Sequence, residues 1–186
     1  MAILSIPAWA ANANVEAAGI PNFHQVNEHV YRGAQPTDDG WHSLAQLGVK
    51  TVIDLRRKGE HSTPSEQKAV EAAGMHYINV PMNGVMAPSD ADVSKVLAIL
   101  NSSEPVFVHC KEGKDRTGTV IAVYRMLHDH WENDKALQEA ESYGMHWVEF
   151  GMKRYIATYR VSTQNAAPTQ SAAAAPALQT AAAQSN

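Results

Sequence analysis

Between Pro105 and Gly118 the chain reads Pro-Val-Phe-Val-His-Cys-Lys-Glu-Gly-Lys-Asp-Arg-Thr-Gly. Val106 to Val108 are apolar and β-favouring. They run into residues too polar for a core, and an apolar-periodic segment from Val120 to Leu127 follows. The pattern predicts a buried strand, a tight loop and a helix. No other stretch constrains the fold as much, because a strand feeding a helix through a short loop is the repeating unit of an α/β sheet. The loop opens at Cys110, the only cysteine in 186 residues, and closes at Arg116 after five intervening positions. Five residues suffice to curl a backbone so that successive N–H groups point inward. Such a curl is a nest for a tetrahedral oxyanion, and the helix start adds its positive dipole end.

Each residue type in the loop has a chemical task. A ring of N–H groups, a helix N-terminus and an arginine all favour the thiolate, which is the nucleophilic form of Cys110. The planar fork of Arg116 binds two oxygens of a phosphate, which a lysine cannot do. Gly113 admits backbone conformations closed to other residues. Thr117 is placed to hold a hydrogen bond near the sulfur, and Gly118 is expected to let the new helix pack close to the strand. Lys111, Glu112 and Lys114 complete the substrate-facing loop. A cysteine that merely packs is the competing reading, and the run Lys-Glu-Gly-Lys-Asp-Arg is not core composition.

His109, Cys110, Gly113, Arg116, Thr117 and Gly118 match the signature of the cysteine-dependent phosphatase superfamily: His-Cys, five residues, Arg, then Ser or Thr. The chain resembles that superfamily over about residues 21–160. The resemblance implies an α/β fold, a central mostly parallel sheet with helices on both faces, and hydrolysis of phosphomonoesters through a phosphocysteine without metal or cofactor. Rhodanese-like sulfur transferases carry a similar but usually shorter loop, and Arg116-Thr117-Gly118 speaks against them. A catalytically weak phosphate-binding module is a second alternative.

The rest of the chain alternates strands and helices, as the fold requires. Phe23, Val26, Val30 and Tyr31 suggest two short strands around Asn27-Glu28, ending in Arg32-Gly33-Ala34-Gln35-Pro36. That phrase resembles the entry strands of a dual-specificity subgroup that includes bacterial members and enzymes acting on inositol phosphates. Arg32 either pins loops near the site or is solvated. Thr37 or Asp38 caps a helix through Trp41, Leu44 and Leu47 that Gly48 stops. Lys50 to Leu55 is a β-branched strand. Asp54 and Arg56 follow at its carboxyl end, the side that faces ligands in such sheets; a structural ion pair is the preferred reading for them. A helix from Ser65 to Gly74, a strand from Met75 to Met82 and a helix from Val93 to Leu100 precede the signature. Two helices, near Asp134–Tyr143 and Val148–Tyr159, come after it.

Residues 21–161 are thus one phosphatase-like domain. Residues 1–20 look like the remnant of a secretory signal, with Ala-x-Ala patterns at Ala8–Ala10 and Ala11–Ala13, which favours a periplasmic or secreted location over a cytoplasmic one. Residues 162–186, rich in Ala, Gln, Thr and Ser without a charge, read as a disordered tail. A net charge of −4 speaks against a general nucleic-acid binder. One cysteine excludes an intrachain disulfide framework, and nine scattered histidines show no paired metal spacing. His24, His29, His42 and His61 are expected on the surface or in loops. No stretch has the length of a membrane span, and a monomer is expected.

The leaving oxygen needs a proton, and a positioned acid is worth roughly 10²–10⁴ in rate. Phosphatases of this kind usually supply an aspartate from a loop before the cysteine, where this chain has Asn83, Gly84 and Val85. Asp90 and Asp92 come later, at a helix start that Ser89 caps, and capping is their preferred role. Lys114-Asp115-Arg116 resembles the loops of phosphoinositide phosphatases such as the myotubularins. That resemblance makes Asp115 the first candidate for the acid, with Asp90 and Asp92 as alternatives. Lys111 and Lys114 add positive charge, so the expected substrates are phosphotyrosine protein, phosphoinositide or inositol phosphate.

Overall fold

The computed structural model describes residues 17–60 and 63–161, so the leader-like residues 1–16, the tail 162–186 and His61 lie outside the described residues. Five strands form one sheet in the order β1-β2-β5-β3-β4. They are β1 (His24–Gln25), β2 (Val30–Gly33), β3 (Thr51–Asp54), β4 (His76–Asn79) and β5 (Val106–His109). Only β1 pairs antiparallel; β2, β5, β3 and β4 run in parallel. The helices are α1 (Asp38–Gln46), α2 (Thr63–Ala72), α3 (Asp90–Leu100), α4 (Asp115–His128), α5 (Asn133–Ser142) and α6 (Phe150–Thr158). The mostly parallel α/β sheet expected from the sequence is what the chain forms, with α2 starting two residues before Ser65.

The pleat sorts side chains onto two faces. Val106, Val108 and Ile53 join Val93, Val96, Leu97, Leu100, Val120 and Ile121 under α3 and α4. Phe107, Val52 and Tyr31 join Trp41, Leu44, Val70 and Met75 under α1 and α2. All of β2, β3 and β5 is buried, as parallel strands covered on both faces must be. α4 is buried on two sides, because α5 and α6 lie against its outer surface through Ala122, Met126, Ala136, Ala140 and Ile156. Gly118 serves that outer contact. A Cβ there would meet Met145 Cε at 3.2 Å and Ala140 Cβ at 3.3 Å, so the residue admits α5 rather than the strand, contrary to the expectation.

Register places the site. Gly33 pairs with His109, His109 with Asp54, and Asp54 with Asn79, so the carboxyl ends of four parallel strands finish in one row. The loops leaving that row share one crevice, the ligand side of an open parallel sheet.

Candidate active site

The loop between β5 and α4 hangs from the central strand. Cys110 directly follows β5 and is 3% exposed, packed with Val106 and Val108. Gly113 has φ +68°, and a Cβ built there would lie 2.5 Å from Gly33 O and 2.6 Å from Ala34 N. The loop therefore turns against the end of β2 with no room for a side chain. The Gly113 carbonyl accepts from Arg32 Nη2 at 2.6 Å and from Asn22 Nδ2 at 3.2 Å. Asn22 also donates to the carbonyls of Glu112 and Tyr143, and Gln35 N donates to Lys111 O. Arg32 is wholly buried, with its guanidinium 4.6 Å above the Tyr143 ring. Burial pulls its pKa down to about 10, against the raising charges of Glu139, Tyr143 and Cys110. Of the two readings of Arg32, the loop pin is the one realised. The buried Thr117 hydroxyl has no protein partner among the described residues, which leaves it free for the sulfur or a bound oxyanion.

Arg116 lies in the first turn of α4 with its side chain 8% exposed. Its Nη1 donates to Glu60 Oε1 at 2.9 Å. Glu60, from the β3–α2 loop, thereby orients the guanidinium. Burial opposes ionisation of that carboxyl, but the bonds from Arg116 and the Arg57 backbone hold it below its usual range. Behind the loop is a buried network. Arg56 donates to both oxygens of Asp54, at 2.9 and 3.1 Å, and also to Glu66 Oε2. Glu66 Oε1 lies 3.0 Å from His109 Nε2 as an ion-pair contact, and His109 Nδ1 lies 3.2 Å from Cys110 O. Asp54, Glu66 and His109 are close enough to share a cation, and the Arg56 guanidinium already bridges the two carboxylates. Asp54 and Arg56 are therefore the structural ion pair the sequence favoured, and through Glu66 and His109 they reach the loop's first residue.

The three candidate acids are held differently. Asp92 carries the N-terminus of α3: its N–H bonds Ser89 Oγ at 3.1 Å, and its carboxylate takes Ser89 Oγ and Lys95 Nζ. Asp90 Oδ1 accepts from Tyr155 OH at 2.7 Å, tying α3 to α6. Asp115 opens α4 at the end of the β5–α4 loop, with Oδ1 2.8 Å from His146 N and Oδ2 2.8 Å from His146 Nδ1. The segment before α3 does reach the site, since a Cβ on Gly84 would lie 3.9 Å from the Arg116 guanidinium. It brings no carboxyl there, and Asn83 folds back onto the N–H groups of Val85 and Met86.

Lys111 is exposed, whereas Lys114 is paired with Glu112 at 3.0 Å. Trp147 is 77% exposed, and Val148, Phe150, Val85 and Met86 are exposed large apolar residues with it. They belong to the two segments that bring His146 to Asp115 and Gly84 to Arg116, and these segments touch, since a Cβ on Gly151 would lie 3.1 Å from Ala87 N. Sequence reasoning missed Glu60 and His146. Neither sits in a motif, and only tertiary contact brings them to the loop. Among the described residues no helix is long and apolar enough to cross a membrane.

Comparison with known proteins agrees with this architecture. The chain is 29% identical over 141 residues to the dual specificity protein phosphatase TpbA of Pseudomonas aeruginosa, which covers 74% of this chain and 60% of TpbA. It is 26% identical over 136 residues to the inositol diphosphatase DSP2 of Oryza sativa, covering 68% of this chain and 63% of that protein. The chain thus spans about three fifths of the length of these relatives. The crystal structure of P. aeruginosa TpbA with phosphotyrosine superimposes with TM-score 0.63 at 25% identity, covering 74% of this chain and 83% of that one. The model of one family, described as "DSP-PTPase phosphatase fused to NAD+ Kinase", matches residues 3–158, and the chain belongs to that family of dual-specificity-type phosphatase domains.

Proposed function

We propose that the chain hydrolyses phosphomonoesters, with Cys110 as nucleophile and Arg116 as the phosphate-binding cation. The observation that carries this reading is the loop itself. A lone cysteine follows the central strand, enters a backbone curl pinned at Gly113, and meets a buried arginine at a helix N-terminus. In the first step Cys110 Sγ attacks phosphorus, an S–P bond forms, the P–O bond breaks, and the leaving oxygen takes a proton. Water then attacks phosphorus and surrenders a proton, and Sγ departs as thiolate. Loop N–H groups, the α4 dipole and Arg116 stabilise the charge that grows on the equatorial oxygens. Glu60 holds Nη1 of Arg116, which leaves the remaining N–H groups of the fork for phosphate. Asp115 stands in the proton path, and Lys111, Glu112, Gly113, Lys114, Thr117 and Gly118 frame the phosphate.

Phosphotyrosine in a protein is the substrate class these surroundings favour. The exposed apolar residues Val85, Met86, Trp147 and Phe150, on the two segments that reach Arg116 and Asp115, suit a phosphate carried on a ring. Glu112 offsets Lys114, which lowers the loop's appeal for polyphosphates. Inositol phosphates are the second reading, supported by the likeness to the rice inositol diphosphatase. The test is phosphate release without added metal from a phosphotyrosine peptide, a phosphoinositide and an inositol polyphosphate, with Cys110→Ser as control. Peptide preference is expected. Lipid or inositol preference would overturn the substrate class, and turnover by Cys110→Ser above a few per cent would overturn the nucleophile.

A further inference from the structure

The pairing of Asp115 with His146 assigns a task that the loop alone leaves open. His146 belongs to the segment between α5 and α6, 31 residues beyond Asp115. It meets the aspartate twice, through its backbone N–H and through Nδ1, both at 2.8 Å. Both carboxylate oxygens of Asp115 are therefore acceptors, and the ring nitrogen facing them must carry hydrogen. That fixes the orientation of the imidazole and turns Nε2 away from Asp115. Nε2 lies 3.9 Å from Glu112 Oε2, a residue of the phosphate loop. The His146 side chain is 42% exposed, and the neighbour of its Nε2 belongs to the β5–α4 loop, not to the core. A carboxylate that orients an imidazole so that its far nitrogen exchanges protons with the reacting atoms is an established division of labour in other enzymes.

We propose that His146 is the proton-carrying group of this phosphatase, with Asp115 as its positioning residue. The inference rests on the phosphatase reading above and deepens it. In the first step the Nε2–H proton of the imidazolium passes to the leaving oxygen as the P–O bond breaks. In the second, Nε2 of the neutral ring takes a proton from the water that attacks phosphorus, and the imidazolium is restored. Nδ1 keeps its hydrogen toward Asp115 throughout. The other ionisable groups facing the ring are Glu112 from the loop and Glu149 from its own segment. Burial, then the Asp115 charge, raises the Glu149 carboxyl, while His146 and Arg116 act the other way.

The experiment compares kcat/KM on phenyl phosphate, whose leaving oxygen needs a proton, with 4-nitrophenyl phosphate, whose leaving group departs as a stable anion. His146→Asn keeps a side-chain N–H where Nδ1 stood, so the bond to Asp115 and the loop geometry survive, but no proton can be relayed. The loss on phenyl phosphate is expected to reach about 10²-fold or more and to exceed the loss on the nitrophenyl ester at least tenfold. Glu149→Gln is expected to show no such split. Equal losses on both esters for His146→Asn, or no loss at all, would reduce His146 to a structural tie and overturn the proposal. So would a split that appears in Glu149→Gln or Asp115→Asn but not in His146→Asn. If the native chain releases no phosphate from either ester, the phosphatase reading fails and this inference fails with it. Turnover by the native chain with a misplaced split refutes the proton role alone.

Discussion

Arg32→Met separates what holds the fold from what holds the loop. Arg32 is wholly buried in β2 and donates to Gly113 O at 2.6 Å. Burial, opposed by the charges of Glu139, Tyr143 and Cys110, lowers its pKa to about 10, a net cost on the order of a few kcal/mol for keeping the cation inside. A lowered cation is a penalty at neutral pH. It is fully present below about pH 10 and relieved only as pH rises above that. Against it stand a charge-assisted hydrogen bond of about 1.5–3 kcal/mol and a cation–π contact with Tyr143 of up to about 2 kcal/mol. The terms nearly cancel. A methionine of similar length fills the space without a charge, so stability should change by less than about 2 kcal/mol, within about 8 °C in Tm. The loop, however, loses the donor that fixes its turn. A shift of about 1 Å in a reacting group can cost 10²-fold, so kcat/KM on an aryl phosphate should fall by about that factor. Thermal melts and steady-state kinetics on one preparation read both quantities. A kcat/KM within about threefold of native, or a Tm loss above about 15 °C with unchanged kcat/KM for the folded fraction, would refute the reasoning.

Gly113→Ala forces a Cβ against Gly33 O and Ala34 N; kcat/KM should drop at least about 10²-fold, and native kinetics would show the loop has another way to turn. Glu66→Gln strips a buried carboxylate from Arg56 and His109. The expected loss is about 3–5 kcal/mol in urea unfolding, and a loss below about 1 kcal/mol would mean the network is not what joins α2 to β5. Arg116→Lys keeps the charge but not the planar fork; kcat/KM should fall about 10²-fold or more, and near-native turnover would contradict bidentate binding. Asp54 and Glu60 both ionise more readily than usual despite burial, because Arg56 and Arg116 respectively bond them. Depressed carboxyls stabilise the fold above the unfolded value near pH 4 and lose that contribution as pH falls through the folded one. Urea midpoints should therefore be flat from about pH 5 to 7 and fall below about pH 4, and a midpoint that rises on acidification would reverse the sign.

The elements that local pattern governs were legible in the chain. The β-branched run at Thr51–Ile53, the Val-Phe-Val of β5 and the Ser89 cap of α3 announce themselves within a few residues. The Cys110–Arg116 loop is equally local, since the residues proposed for its chemistry occupy consecutive positions. What stayed hidden depends on contacts between distant segments. Arg32 reads as pin or solvated cation until β2 is known to lie beside β5, where burial decides. Gly118 reads as a strand contact until α5 is seen against it. Glu60 and His146 carry no spacing that could reveal them, because one is 56 and the other 31 residues from its partner in the loop.

The burial of Cys110 as the only sulfhydryl in these 186 residues also governs how the site meets an oxidant. A thiolate that attacks phosphorus can also be oxidised by peroxide, and the sulfenic acid formed is commonly rescued by a neighbouring thiol. Within this sequence there is no second thiol to do so. The recoverable forms are then a cyclic sulfenamide with a backbone nitrogen or a mixed disulfide with a small external thiol. With Cys110 only 3% exposed, the latter must enter by the path the phosphate uses. Inorganic phosphate in the loop should therefore protect against both loss and repair of activity, and the catalytic cycle and the redox cycle compete for one opening.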